Sequence, residues 1–200
     1  MDESTASRRQ FEILDAAARI FARHGYPGTD LQFVADELGV SKGTLYRYFP
    51  SKRELFLAAV DHGMQRLKAD IEAGVGDVAD PLARVERAVR SYFRFFDENP
   101  QFIELIVQER AEFRDRKKPT YFQHCEVNVG PWRELFAGLI AAGRVRAMPA
   151  ERVTDVVSNL VYGTMITNYF AGGEKSLESQ TQEMMDVLLH GILSPTESLS

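Results

Sequence analysis

Between Val40 and Phe56 the chain reads VSKGTLYRYFPSKRELF. Lys42, Thr44, Tyr46, Arg47 and Tyr48 crowd hydrogen-bond donors around Gly43, with Ser41 and Lys52 at the flanks. Ammonium, guanidinium and hydroxyl groups at this density suit the phosphate oxygens and base edges of a nucleic acid. Gly43 has no side chain, so backbone there can come close to a base edge or methyl group. The rest of the chain offers no reaction chemistry: nucleophile elbow, phosphate loop and dinucleotide fingerprint are all missing. His124 and Cys125 diverge by about 100° on a helix. His24, His62 and His190 are scattered, and no second Cys/His cluster exists. Neither a metal, a cofactor nor an enzymatic activity is expected.

For these donors to act together they must share one helix face. Two short helices, about 31–38 and 42–48, are joined by Gly39-Val40-Ser41, a helix-turn-helix arrangement. Thr29 or Asp30 caps the first and Ser41 the second. Leu31, Val34, Ala35, Leu38, Val40, Leu45 and Phe49 close a small core with Ile20 and Phe21. That leaves Lys42, Gly43, Thr44, Tyr46, Arg47 and Tyr48 facing out, on a helix that fits a major groove about 12 Å wide. Upstream, a helix of about 8–24 carries Ile13, Ala17, Ile20 and Phe21 on one side, with Ser7 and Gln10 as its capping box. Downstream, Ser51 and Glu54 open a long helix that stops at Gly74, and its start at Ser51-Lys52 is a phosphate site.

Residues 25 to 56, GYPGTDLQFVADELGVSKGTLYRYFPSKRELF, closely resemble the DNA-binding signature of the TetR/AcrR family of bacterial transcriptional regulators. The likeness runs over roughly residues 8 to 60. It rests on Phe21, Gly25, the Gly39-Val40-Ser41 turn, Thr44-Leu45-Tyr46, Phe49 and Ser51-Lys52. The resemblance implies a homodimer on a roughly palindromic double-stranded operator. It also implies a ligand in the C-terminal domain that changes the spacing of the two DNA-binding heads. By family role Lys42, Gly43, Thr44, Tyr46 and Tyr48 contact DNA and Lys52 contacts its backbone. Asp30 departs from the family's usual Thr or Ser. A carboxylate there sits near DNA phosphate, so the phosphate role moves to Thr29. The candidate DNA contacts are Thr29, Ser41, Lys42, Gly43, Thr44, Tyr46, Arg47, Tyr48 and Lys52.

Composition agrees with a globular protein: 200 residues, 44% hydrophobic and 26% charged. With Cys125 as the single cysteine no intrachain disulfide can form, which suits a reducing compartment. Residues 1–10 are polar and form no signal peptide. No apolar run reaches the ~18 residues of a membrane span, so a cytoplasmic protein with no membrane partner is expected. Residues 8–55 hold eight Lys/Arg against six Asp/Glu, while residues 56–200 hold sixteen against twenty-one. The asymmetry points the N-terminal part toward an anionic partner.

The remaining chain reads as helices of about 81–97, 100–115, 120–142 with a break at Gly130-Pro131, 150–171 and 179–193. The expected fold is all-α. An N-terminal three-helix helix-turn-helix DNA-binding domain, 1–50, precedes a connector helix and a larger C-terminal helical ligand-binding and dimerisation domain, 51–200. Several polar residues lie on apolar faces there. Glu109 follows Phe102 and Ile106 toward Phe113, His124 and Asn128 are four apart, and Asn159 shares a face with Tyr162 and Ile166. Burying such groups unpaired is costly. The partner is either a ligand or, for Glu109, a basic residue of the run ERAEFRDRKK. The ligand reading assembles Phe96, Glu109, Phe113, His124, Asn128, Trp132, Asn159, Tyr162 and Ile166; aromatics at helical spacing are equally core. Val157, Leu160, Met184, Val187 and Leu188 form either the core of one chain or a four-helix dimer interface. The dimer is favoured, because a palindromic target needs two heads. The expected function is a ligand-responsive repressor released by a small apolar or amphipathic effector. The alternatives are a regulator without an effector, an activator, or a helical enzyme using the C-terminal cavity.

Overall fold

The apolar periodicity becomes ten α-helices, with no β-strand, among residues 3–173 and 175–192 described by the computed structural model. They are α1 Glu3–Gly28, α2 Leu31–Leu38, α3 Lys42–Tyr48, α4 Lys52–Val75 and α5 Pro81–Glu98. There follow α6 Gln101–Glu112, α7 Thr120–Asn128, α8 Gly130–Ala141, α9 Ala150–Phe170 and α10 Leu177–Ile192. The all-α expectation matches. Two local expectations are corrected. Ser7 and Gln10 lie inside α1 rather than at its start, and α1 runs past residue 24 by bending at Gly25, whose φ of 72° only glycine adopts without strain. The expected break before Pro131 falls at Val129. Pro131 then sits in the first turn of α8, where a missing N–H leaves no helical bond unmade. The expected helix end at residue 193 lies outside the described residues.

The chain divides into two compact units. One joins the chain up to Arg66 with Asn99–His124, and the other joins Leu67–Glu98 with the chain from Cys125 onward. In the first unit α1 buries Ile13, Ala17, Ile20 and Phe21, the face expected from their spacing. Polar clasps fix its neighbours. Gln108 Nε2 of α6 donates to Phe21 O at 3.1 Å. From α4, Arg66 Nη1 donates to Asp15 Oδ1 at 3.0 Å, and His62 Nε2 lies 3.1 Å from the same oxygen. The His62 hydrogen bond, with the Arg66 guanidinium behind it, holds the Asp15 carboxyl below the usual carboxylate range. Helix α6 therefore shares a unit with the helix-turn-helix, although it lies more than fifty residues downstream of it.

Contact between α4 and α6 depends on Gly63. A Cβ built there would stand 2.3 Å from Phe102 Cδ1, and the Phe102 ring is fully buried. Alanine is the better helix former by about 1 kcal/mol, but overpacking costs about 1–3 kcal/mol. Because the obstructing atom is a confined ring and not a flexible tip, overpacking wins. Gly63→Ala is expected to lower stability by about 1–2 kcal/mol, read as a drop in the urea midpoint at unchanged m-value. An unchanged midpoint would mean that the ring moves freely.

In the second unit α5 buries Val85, Ala88, Val89, Tyr92, Phe93, Phe95 and Phe96. Helix α10 packs on α5 and α9, and α8 packs on α9. Arg90 of α5 pairs with Glu178 of α10, and Arg144 pairs with Asp80 at the start of α5.

Candidate nucleic-acid interface

Local chemistry sets each end of the helix-turn-helix. The Asp30 carboxylate accepts from Gln32 N at 2.8 Å and caps α2. Gly39 ends α2 in the left-handed region, φ 63° and ψ 36°, and Val40 N donates to Ala35 O at 2.9 Å. Ser41 Oγ accepts from Thr44 N at 3.2 Å and opens α3. Leu45 and Phe49 are buried, so the remaining positions of α3 turn outward: Tyr46 and Arg47 are exposed, while Lys42, Thr44 and Tyr48 are half-buried. At Gly43 a Cβ would meet only Ser41 Oγ, at 3.7 Å. Nothing inside the chain requires glycine there. After the turn, Glu54 N donates to Ser51 Oγ at 3.1 Å, the cap expected for α4.

Two cations on this face are held by partners. Lys42 Nζ donates to Asp30 Oδ1 at 2.5 Å. That hydrogen bond is the main cause of a lowered Asp30 pKa and a raised Lys42 pKa. Lys52 Nζ donates to Pro27 O at 3.2 Å and lies 4.8 Å over the Tyr26 ring. Thr29 is displaced from the expected set. It is 3% exposed and its hydroxyl donates to Gly25 O at 2.7 Å, sealing the α1 bend. The expectation that its side chain reaches phosphate is corrected on that ground. Ser41 Oγ, the α3 cap, also lies 3.0 Å from Thr44 Oγ1. Arg53, which local pattern leaves undecided, pairs with Asp115 at 2.5 Å and covers the Phe113 ring at 4.8 Å. Its partners lie about sixty residues downstream, beyond any local signal.

The geometry makes Asp30 a competitor for Lys42. Asp30→Asn keeps a capping side chain but removes the carboxylate beside the ammonium. The expected result is tighter binding to any duplex, by about 3- to 10-fold at low salt, measured by fluorescence anisotropy. Weaker binding would mean that the pair arranges the face instead of competing with it.

This capped turn with an outward donor face has counterparts elsewhere. Residues 13–59 match the family model described as bacterial regulatory proteins, tetR family. The HTH-type transcriptional repressor KstR2 of Rhodococcus jostii is 24% identical over 198 residues, 97% of this chain and 96% of that protein. Together these matches support a TetR-family regulator. The HTH-type transcriptional activator FasR of Mycolicibacterium smegmatis is 32% identical over 100 residues, which are 50% of this chain and 46% of FasR. The chain thus spans about half the length of that relative. Among solved structures, FadR from Bacillus subtilis in complex with stearoyl-CoA superposes with a TM-score of 0.78 at 16% identity. The likeness covers 91% of this chain and 98% of FadR, and at that identity it speaks for the fold.

The nine residues expected to line an effector site fall in both units of the chain. Glu109, Phe113 and His124 belong to the first unit. Glu109 is 1% exposed, accepts from Thr120 N at 2.9 Å and Thr120 Oγ1 at 2.9 Å, and pairs with Arg116 Nε at 3.1 Å. Its carboxylate is occupied by its own chain, so the ion-pair alternative holds and the ligand role is corrected. Phe113 packs against Tyr26 at 4.8 Å and Phe56 at 5.3 Å, and is core. His124 Nε2 lies 2.7 Å from Asp61 Oδ1. In the second unit Phe96 is buried beside Tyr92 and Phe95. Asn128, Trp132, Tyr162 and Ile166 are half-buried and Asn159 is exposed. Burial, with Cys125 nearby, pushes the Tyr162 phenol up.

The expected interface residues also divide. Met184 and Leu188 are buried within the chain, where α10 meets α5 and α9, and are core in this structure. Val157 is half-buried. Leu160 and Val187 are exposed, joined by Val156 and Phe170, with Val187 and Phe170 each 67% exposed. Among the described residues no three His, Cys, Asp or Glu side chains gather as a metal site, and no helix is long and apolar enough to cross a membrane.

Proposed function

We propose that this TetR-family chain is a ligand-responsive transcriptional repressor of the cytoplasm. It binds a palindromic double-stranded operator as a homodimer and is released by a small apolar or amphipathic effector. The observation that carries the reading is the outward face of α3, where Lys42, Thr44, Tyr46, Arg47 and Tyr48 surround a glycine the chain itself does not need. Ser41 orders the start of that face, and Lys52, held at Pro27 O and over the Tyr26 ring, is the group we assign to backbone phosphate. The exposed apolar side chains Val156, Leu160, Phe170 and Val187 support a second copy as partner, since water is a poor neighbour for them. The repressor name of KstR2 supports repression. The stearoyl-CoA in FadR, whose fold is similar, supports an amphipathic effector. Trp132, Tyr162 and Ile166, with Phe96, Asn128 and Asn159, are the side chains we assign to it. An activator is the second reading, favoured by the name of FasR. The relatives are named as transcriptional regulators, which disfavours a helical enzyme.

The test begins with duplex selection from a random-sequence pool. The enriched sequence is expected to be palindromic and protected as two half-sites by one dimer. Stearoyl-CoA serves as the first effector probe, and a coupling of ~1–3 kcal/mol would weaken binding about 5- to 150-fold. Failure to enrich any duplex at low salt would sink the reading. Tighter binding with the probe, together with raised transcription, would move it to the activator.

A further inference from the structure

The run Arg110–Lys118 holds five Lys/Arg against two Asp/Glu in a chain of net charge -5. Its middle forms the loop between α6 and α7, in the same unit as the helix-turn-helix. The loop is tied down at several points. Phe113 is driven between Tyr26 and Phe56. Arg116 N donates to Phe113 O at 3.0 Å. Arg116 turns inward to Glu109, and the same carboxylate takes Thr120 N, closing the far end. Asp115 is spent on Arg53 at the start of α4, which holds its carboxyl below the usual range. Arg114, Asp115, Lys117 and Lys118 are exposed on the loop, with Arg110 and Glu112 exposed just before it.

Its place in the unit gives that charge a use. The Lys52 ammonium lies 4.8 Å over the Tyr26 ring, and the Tyr26 ring centroid is 4.8 Å from that of Phe113. The loop therefore starts one aromatic ring away from the lysine assigned to DNA backbone. Arg114, Lys117 and Lys118 follow Phe113 within five residues of chain. A phosphodiester chain that runs on from Lys52 past Tyr26 and Phe113 would reach this loop.

We propose that the α6–α7 loop is a second phosphate-binding surface, which grips DNA backbone outside the base pairs faced by α3. This rests on the DNA-binding reading above. Lysine and arginine on a loop over phosphates carry no base information, so the surface adds affinity and length dependence without adding sequence preference.

The experiment compares wild type with Arg114→Gln/Lys117→Gln/Lys118→Gln. It uses a duplex selected from the random pool, once trimmed to the protected half-sites and once extended by about one helical turn, ~10 bp, at each end. Each lost phosphate contact reduces the log–log salt slope by about 0.9, and a dimer loses each contact twice. The expected result is a slope shallower by about 2–5 on the extended duplex, little change on the trimmed one, and an unchanged ratio of selected to scrambled sequence. As an independent reading, Lys117 and Lys118 of the wild type should be acetylated in free protein and protected by the extended duplex alone. Equal slopes for wild type and variant on the extended duplex, or lysines acetylated equally in its presence, overturn the proposal. An equal change on both duplexes overturns its placement outside the half-site. If the wild type binds no duplex at all, the underlying reading fails and the proposal with it.

Discussion

Lys42→Ala is expected to weaken operator binding by about 30-fold or more, while the urea midpoint stays where it is. Lys42 begins α3, and Ser41 fixes the turn that aims it. Two effects add. In the proposed dimer the ammonium is lost from both half-sites, and the Asp30 carboxylate, no longer paired at 2.5 Å, is left facing phosphates. The second effect separates from the first in the double variant Asp30→Asn/Lys42→Ala, which should recover part of the loss. Anisotropy on the selected duplex at fixed salt measures both. Wild-type affinity in Lys42→Ala would remove Lys42 from the reading face.

Glu109→Ala is expected to cost about 2–4 kcal/mol of folding stability. The carboxylate is fully buried, accepts from a backbone N–H and a hydroxyl, and forms an ion pair with the Arg116 guanidinium. Its removal strands Thr120 N–H, which has no water to turn to. Arg116 is partly exposed and can rehydrate, which keeps the loss below that of a fully buried pair. Glu109→Gln should cost less, because an amide oxygen still accepts from Thr120 N. Urea denaturation of all three proteins gives the comparison. A loss under ~1 kcal/mol for alanine would mean that the loop finds other bonds.

Much of the interface is legible in the amino-acid sequence, because its signals are short-range. Ser41 caps α3 three residues upstream of the N–H it serves, and Gly39 ends α2 by its own backbone freedom. The alternation of Leu45 and Phe49 with tyrosine and arginine separates an inner from an outer face within two turns of helix. Thr29 marks the limit of such local signals. Both Thr29 and Asp30 are good caps, and the choice between them is decided by the Gly25 bend, which swings the Thr29 hydroxyl back onto Gly25 O. Glu109 meets the same limit in the other half. Its apolar stripe marks a buried carboxylate, yet the stripe cannot say whether a ligand or Arg116 supplies the countercharge.

The sequence by itself determined the helix periods, the caps, the turn and the sign of the exposed charge, since each depends on residues within a few positions of one another. Only the tertiary structure decided which cations are already engaged and which polar groups are already satisfied. Lys42 meets Asp30 twelve positions away, and Arg53 meets Asp115 sixty-two away. Helix α6 and the loop beyond it join the unit of α1 through Gln108 and Phe113. A pattern of apolar positions fixes the direction in which a helix must be covered; which helix covers it, and which ion finds a partner, follows from packing the whole chain.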